Sequence, residues 1–467
     1  MNEQALTGLR LAFYGDDFTG STDALEALTR AGVRTALFLD PPGAEALAGF
    51  GDLAAAGVAG VSRSLTPAQM DDELRPVFAR LRDLGAPLVH YKVCSTFDSS
   101  PTVGSIGHAI EIGQEVFGSP WVPLLVGAPV LGRYCVFGNL FARSGPETEP
   151  FRLDRHPTMR RHPITPMDEA DLRIHLARQT NRPIDLLDVR FLERPFAECA
   201  ARLDDLRAGG GAEIVLFDIL YDAHLAPLGR MIWDGTAETP AGGSLFCVGS
   251  SGVEYALAAH WRDAGLSPAD PPDMAPAAPA DRVVAVTGSC SPVTGRQIDW
   301  ALANGFAEVA VRTADLAEGG AAAEAEQERV VRAGWDALAA GRSVLLHTSR
   351  GPGDARIGET REALRRGAAA GGSTGEILGL GLGRAVRALI GENGGVRRAA
   401  VCGGDTSGFV ARELGITALT MAAPMAPGSP LCRVHAGGVV DGMEIVFKGG
   451  QVGTVDFFGR VRNGTVA

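Results

Sequence analysis

No Cys-x-x-Cys pair occurs in this chain, and its seven cysteines, Cys94, Cys135, Cys199, Cys247, Cys290, Cys402 and Cys432, stand singly and in odd number. That excludes a disulfide framework and the common zinc modules, and predicts reduced thiols. No apolar run is long enough to span a bilayer. The opening MNEQALTGLRLAFYGDD lacks the apolar core of a secretory signal. The expectation is a cytoplasmic protein with no membrane partner. Positive charge is in deficit: 43 Lys and Arg face 55 Asp and Glu, a net charge of −12. A general affinity for nucleic acid is therefore not expected, although a locally positive pocket for a small anion is compatible with this balance. The phosphate-binding pattern Gly-x-x-x-x-Gly-Lys-[Ser/Thr] is missing, and no repeat of fixed period is found.

What is present is an ordinary globular composition, 46% hydrophobic and 21% charged, over 467 residues. That length predicts two domains. The Pro/Ala-rich stretch LSPADPPDMAPAAPAD has linker composition. It divides the chain into residues 1–265, a linker 266–281, and residues 282–467. On both sides, short β-branched runs alternate with helical patterns. Before the linker these runs are Leu9–Tyr14, Thr35–Leu39, Pro87–Tyr91, Ile214–Phe217 and Leu245–Val248. After it they are Val283–Val286, Glu308–Arg312, Ser343–Thr348, Ala399–Val401 and Ala418–Met421. The alternation predicts an α/β protein of two domains, each a mostly parallel sheet flanked by helices, with the active site expected in the cleft between them.

Glycine-bearing motifs follow several of these runs, where loops of an open α/β sheet build sites. GDDFTGSTDA (Gly15–Ala24) puts Asp16 and Asp17 between a strand and a helix, where a carboxylate can orient a hydroxyl, remove its proton or hold Mg²⁺. Asp17 or Ser21 could instead only cap the helix, but a cap needs one such group and the segment supplies Asp16, Asp17, Thr19, Ser21, Thr22 and Asp23, which favours function. In HYKVCSTFDSSPTVGSIG (His90–Gly107), Lys92, Ser95 and Thr96 at a strand end suit a carboxylate ligand, and Arg63 of GVSRSLTP could join them. Cys94 has no evident partner base and reads as a buried thiol. HPTMRRHPITPMDEADL (His156–Leu172) carries two His-Pro pairs whose spacing suits neither a helical His pair nor a zinc finger. It reads as a rigid lid or substrate loop, with His162 a substrate contact.

After the linker, TGSCSPVTGRQI (Thr287–Ile298) leads from a strand into a helix whose start could hold an anion, with Ser289 and Ser291 at its mouth. The strongest phosphate cradle is Gly403-Gly404-Asp405-Thr406-Ser407-Gly408: its glycines admit a phosphate to the backbone amides, and Asp405 can accept a proton, hold Mg²⁺ or cap. APMAPGSPLCR (Ala423–Arg433), with Gly428, reads as a Pro/Gly-shaped loop. VFKGGQVGTVDFF brings Lys448 and Gly450 to another turn. Either could wall a nucleotide. LGLGLGRAV (Leu378–Val386) imitates a dinucleotide fingerprint, but no strand precedes it and a glycine-containing helix is expected.

Taken in order, GDDFTGSTDA, KVCSTFDSSPTVGSIG, RHPITPM, TGSCSPVTGRQ, GGDTSG, APGSPLC and KGGQVGTVDFF resemble the four-carbon acid sugar kinase family across nearly the whole chain. The resemblance implies a sugar-acid domain followed by a nucleotide domain, and ATP- and Mg²⁺-dependent phosphorylation of a hydroxyl on a tetronate-like acid. It puts Asp16, Asp17, Arg63, Lys92, Ser95 and Thr96 on the sugar-acid side. Ser289, Ser291, Gly403, Gly404, Asp405, Thr406, Ser407, Gly428 and Gly450 fall on the nucleotide side, with the family's lysine kept at Lys448. Two departures stand out. Family members commonly read Gly-Asn-Ile-Gly where this chain has Gly104-Ser105-Ile106-Gly107, and Lys-Ser-Gly-Asn-Phe-Gly where it has Lys448-Gly449-Gly450-Gln451-Val452-Gly453. The acid is therefore open among tetronates, 3-oxo-tetronates and branched relatives such as 3-oxo-isoapionate. The expected mechanism is in-line transfer across the domain interface, with Lys92 and Arg63 holding the carboxylate, Asp17 or Asp405 serving the hydroxyl, and the GGDTSG amides with Mg²⁺ neutralising the γ-phosphate. A homo-oligomer is compatible with this scheme. Rival readings are a non-catalytic sensor of a sugar acid and a nucleotide, a phosphatase using the paired aspartates (although its usual Asp-x-Asp is lacking), and a dehydrogenase resting on the Leu378–Val386 glycines.

Overall fold

The structure is a computed structural model that describes residues 8–145, 148–162, 164–209, 211–270, 272–366, 373–390 and 395–466. Contacts divide the chain into two units, Met1–Pro272 and Asp273–Ala467. Among the described residues, no helix is long and apolar enough to cross a membrane.

Among its described residues the first unit holds eleven strands: β1 (Leu11–Gly15), β2 (Thr35–Phe38), β3 (Ala55–Ala59), β4 (Leu88–Lys92), β5 (Val122–Leu125), β6 (Arg133–Val136), β7 (Asn139–Arg143), β8 (Pro150–Arg152), β9 (Ile184–Leu187), β10 (Ile214–Phe217) and β11 (Leu245–Gly249). Eight of them form a wholly parallel sheet in the order β2-β3-β1-β4-β11-β5-β10-β9. Helices cover both faces, so β1 is buried from Leu11 to Gly15, which is why it reads as a continuous apolar run rather than an alternating one. Tyr14 and Tyr91 stack at 5.9 Å across β1 and β4, and Phe78 meets both edge-on. The core side chains there are 0–1% exposed, each contributing about 1.5–3 kcal/mol by burial. β6, β7 and β8 form a separate antiparallel sheet.

The second unit holds β12 (Val284–Thr287), β13 (Ala307–Ala310), β14 (Val344–His347), β15 (Arg398–Cys402), β16 (Ile416–Ala426), β17 (Ser429–Ala436) and β18 (Glu444–Lys448). Their order is β13-β14-β12-β15-β18-β17-β16, parallel through β18 and antiparallel beyond it. The segment expected as a loop, Ala423–Arg433, is instead the tip of the β16–β17 hairpin. Its prolines misled the reading. The ladder tolerates them because its register shifts on either side of Ala423, and an irregular ladder needs fewer N–H donors. The turn falls at Pro427-Gly428, where Gly428 takes φ +75°. Leu378–Val386 lies inside the helix Thr374–Ile390, so no strand feeds its glycines.

In each unit one strand has its successors on opposite sides. From β1 the chain moves out to β2 and β3 on one side and returns to β4 on the other. From β12 it moves to β13 and β14, and returns to β15. At such a reversal the loops after adjacent strands diverge and leave a crevice at the sheet's C-terminal edge. The β1 and β4 loops carry Asp16, Asp17 and Lys92–Thr96, while the β12 and β15 loops carry Gly288–Ser291 and Gly403–Ser407.

Candidate active site

At the first crevice, Arg63 lies in the short turn Ser62–Ser64 that follows β3, and clamps both aspartates. Its Nε and Nη2 donate to Asp16 at 3.0 and 2.6 Å, while Nη1 and Nη2 donate to Asp17 at 2.8 and 3.0 Å. Four of the five guanidinium donors are thus engaged within the protein. Asp17 also accepts from Thr19 Oγ1 at 2.9 Å and from the Gly20 amide at 2.7 Å, as N-cap of the helix Phe18–Arg30. Each Asp17 oxygen therefore accepts two bonds, which fills its lone pairs. Among the described residues, each Asp16 oxygen accepts from Arg63 alone. Burial pushes the Asp16 carboxyl up to about 6, against the pull of Arg63.

Lys92 ends β4 and is 2% exposed. Its ammonium donates to Val93 O at 3.1 Å and lies 3.4 Å from Asp23 Oδ2. A Cβ at Gly20 would come within 3.3 Å of Lys92 Nζ and 3.7 Å of Arg63 Nη2, so glycine lets the two cations flank the start of the helix. Beyond Lys92 the loop turns through Phe97, whose φ of +55° is strained for a bulky residue. Its fully buried ring, edge-on to His175 at 6.0 Å, holds it there. Thr96 donates to Asp98, and Ser95 is partly exposed at the bend. Burial and Asp98 push the Cys94 thiol up to about 11, so at neutral pH it is no nucleophile. His162 lies near enough to Asp98 to act on it electrostatically, which puts its ring near this loop. His162 Nδ1 accepts from Thr165, and His156 Nδ1 accepts from the Thr158 and Met159 amides, so each histidine caps its own turn.

Sequence reasoning missed four side chains here. Asp23 and Glu254 face Lys92, Ser251 faces Asp23, and His90 Nδ1 meets Glu254 at 2.6 Å with both side chains fully buried. The signal was available in Gly249-Ser250-Ser251-Gly252, a strand-to-helix turn directly after β11.

At the second crevice three loops converge. A Cβ at Gly288 would stand 2.1 Å from Thr406 Oγ1, and one at Gly450 would stand 2.3 Å from Ser289 Oγ. Gly403 takes φ +125°, which a side chain would strain. Ser291 caps the helix Pro292–Ala303 through the Val293 amide. From that helix Thr294 Oγ1 donates to Gly450 O at 2.9 Å, and Gln297 Nε2 reaches the carbonyls of Val452, Gly453 and Thr454 at 3.0–3.1 Å. The helix therefore pins the loop after β18. Asp405 and Thr406 occupy the first turn of the helix Gly404–Glu413, with Ser407 Oγ on Gly403 O. Amides at a helix start with small flanking residues suit a phosphate. Lys448 ends β18 fully buried. Its ammonium donates to Gly449 O at 2.9 Å and lies 5.4 Å from the Phe457 ring centre, and among the described residues no carboxylate pairs with it. A buried ammonium of that kind has donors to offer an anion. The neighbouring turn after β14, with Ser349 Oγ on Ser289 O at 3.3 Å, was also missed.

Comparison with known proteins matches residues 11–257 to a sugar-binding N-terminal domain and residues 284–458 to a nucleotide-binding C-terminal domain. A 3-oxo-isoapionate kinase of Paraburkholderia graminis is 48% identical over 464 residues, covering 98% of this chain and 95% of that protein. A 3-oxo-tetronate kinase of Methylobacterium radiotolerans is 34% identical, covering 97% and 98%. A crystal structure from Salmonella typhimurium LT2 shares the fold, with TM-score 0.76 at 23% identity over 97% of this chain and 98% of that one.

Proposed function

The chain belongs to the four-carbon acid sugar kinase family, with its sugar-binding N-terminal and nucleotide-binding C-terminal domains, and from that premise we propose that it transfers the γ-phosphate of ATP to a hydroxyl of a four-carbon acid sugar or a close branched relative, with 3-oxo-isoapionate the first acid to try. The observation that carries this reading is the pairing of two chemically distinct crevices. One is lined by carboxylates and a buried ammonium, the other by glycines, hydroxyls and a helix start, as a hydroxy acid and a polyphosphate respectively require.

On this reading the acid's carboxylate lies against Lys92, with Ser95, Thr96 and His162 around it. Arg63 supplies its one remaining donor and otherwise fixes the two aspartates. Asp17, its lone pairs filled, is a buttress, and the proton of the attacking hydroxyl passes to Asp16, whose oxygens each keep a free lone pair. The amides of Gly403–Ser407, the hydroxyls of Ser289, Ser291 and Thr406, the turns at Gly428 and Gly450, and Lys448 hold the nucleotide. Mg²⁺ on ATP is typically held by one or two carboxylates plus phosphate oxygens. Asp405, in the first turn of its helix, is a carboxylate that would help hold the ion, which would supply neutralisation of phosphate charge. Catalysis is then mainly positioning and charge neutralisation. The substrates are small and water-soluble, which suits a cytoplasmic enzyme.

The test is ADP release by the purified protein with ATP, Mg²⁺ and a panel of tetronates, 3-oxo-tetronates and 3-oxo-isoapionate. Release that depends on one acid is expected. ATP binding with no acid-dependent ADP would favour the sensor.

A further inference from the structure

Lysine is nearly absent from this chain: Lys92 and Lys448 are the only two, and arginine supplies every other fixed side-chain cation. Both lysines end a strand at a crevice and are 2% and 0% exposed. Arginine replaces lysine readily on a solvated surface, but not where a compact ammonium must fit.

Carboxylates on three elements face Lys92. Asp23 Oδ2, on the helix Phe18–Arg30, is 3.4 Å away. Glu254 faces it from the helix Gly252–Asp263, Asp16 from the end of β1, and Cys94 from its own loop. Arg63 stands across Gly20. His90 anchors Glu254 from behind at 2.6 Å. Burial alone would drive Lys92 toward the neutral amine, but the carboxylates outweigh it and leave the group more basic than a free lysine. Among the described residues, Glu254 Oε2 is also buried without a hydrogen-bond partner. This is more acid than holding one ammonium in place requires.

The acceptor chemistry supplies a reason. In a 3-oxo acid the ketone carbon is two bonds from the carboxylate carbon, so an amine that reaches one reaches the other. A neutral amine would attack the ketone. A C–N bond forms, water leaves with the carbonyl oxygen, and an iminium results. The bond to the carboxylate then breaks, its electron pair moves into the iminium nitrogen, and CO₂ departs. The acid would be destroyed before it was phosphorylated. An ammonium has no lone pair and cannot begin this sequence. Resting on the reading that the acceptor is a 3-oxo acid held at Lys92, we propose that Asp23, backed by Glu254 and His90, is a positioning residue that keeps Lys92 a permanent ammonium, so that the site grips a β-keto acid without condensing with it.

The scarcity of lysine makes the test direct. Full-length protein labelled with ¹³C at the lysine ε-carbon has two such signals, assigned with Lys92→Met. In the wild type the Lys92 signal keeps its ammonium position past neutral pH. In Asp23→Asn its titration moves down by at least about one pH unit, and Glu254→Gln moves it less in the same direction, serving also if the first variant fails to fold. With 3-oxo-tetronate and borohydride at pH 8, the wild type gains no adduct. Asp23→Asn gains a reduced secondary amine at Lys92 by mass spectrometry and releases CO₂. An unmoved titration in both variants, an adduct on the wild type, or a moved titration with no adduct in acid-binding variants would each overturn the proposal. Failure of the acceptor reading is visible separately in wild-type ADP release. If only acids without a 3-oxo group support it, the protective role is overturned even where the titration behaves as described.

Discussion

At the scale of single residues, Asp16 and Asp17 show how neighbouring identical side chains acquire different hydrogen-bonding surroundings. Both follow β1 and both meet Arg63, but Asp17 also caps a helix, and its four accepted bonds leave it no lone pair for a substrate. Asp16 is more buried and less engaged. With its carboxyl raised to about 6, turnover should fall as pH falls through that value, because the protonated form can no longer accept the hydroxyl proton. Asp16→Asn should lower kcat by about 10²- to 10⁴-fold and abolish this acid limb. Asp17→Ala should instead cost thermal stability through the cap, about 1 kcal/mol. A kcat–pH profile beside a melting curve separates the two. An acid limb that survives in Asp16→Asn would remove Asp16 from the role of base. The sign for folding is opposite to that for activity: the folded carboxyl binds its proton more tightly than the unfolded one, so its ionisation works against the fold. That cost is absent below the unfolded value and complete above about 6.

At the scale of elements, the nucleotide crevice depends on three loops approaching more closely than side chains allow. Gly288 and Gly450 are the contact points, with Thr406 and Ser289 opposite them. Gly288→Ala places a methyl 2.1 Å from Thr406 Oγ1 and must push the β15 loop away. The expected result is a rise in KM for ATP on the order of tenfold or more, with KM for the acid little changed. Steady-state kinetics in both substrates checks this, and equal effects on the two would show that the disturbance is not local. Strands with strong apolar runs, such as Ile214–Phe217, were legible from sequence to the residue. β3 was not, because Ala-Ala-Gly-Val-Ala carries little β signal and its glycine exists to admit the Phe13 ring. β17 was hidden by Pro427 and Pro430, whose placement at and beside a turn makes them compatible with pairing.

At the scale of the whole molecule, the chain's contacts divide into two units at Pro272. If each unit holds its own ligand, calorimetry of the intact protein should show ATP raising one transition and the sugar acid another. At a hundred times Kd each ligand adds about 2.7 kcal/mol. A single transition raised equally by either ligand would count against separate sites. Strand periodicity and the linker composition were enough to predict an α/β chain of two domains, because these signals are local: each depends on residues adjacent in the chain. The assignment of one half to an acid and the other to a nucleotide came from the motifs' resemblance to the four-carbon acid sugar kinase family. Only the tertiary structure decided which side chains share a crevice. Lys92, Asp23 and Glu254 come from three segments, and Arg63 reaches Asp16 and Asp17 across 47 and 46 positions of sequence. Whether a carboxylate is filled by partners or left with a lone pair depends on those distant neighbours, so the different engagement of Asp16 and Asp17 existed only once the sheet had brought them together.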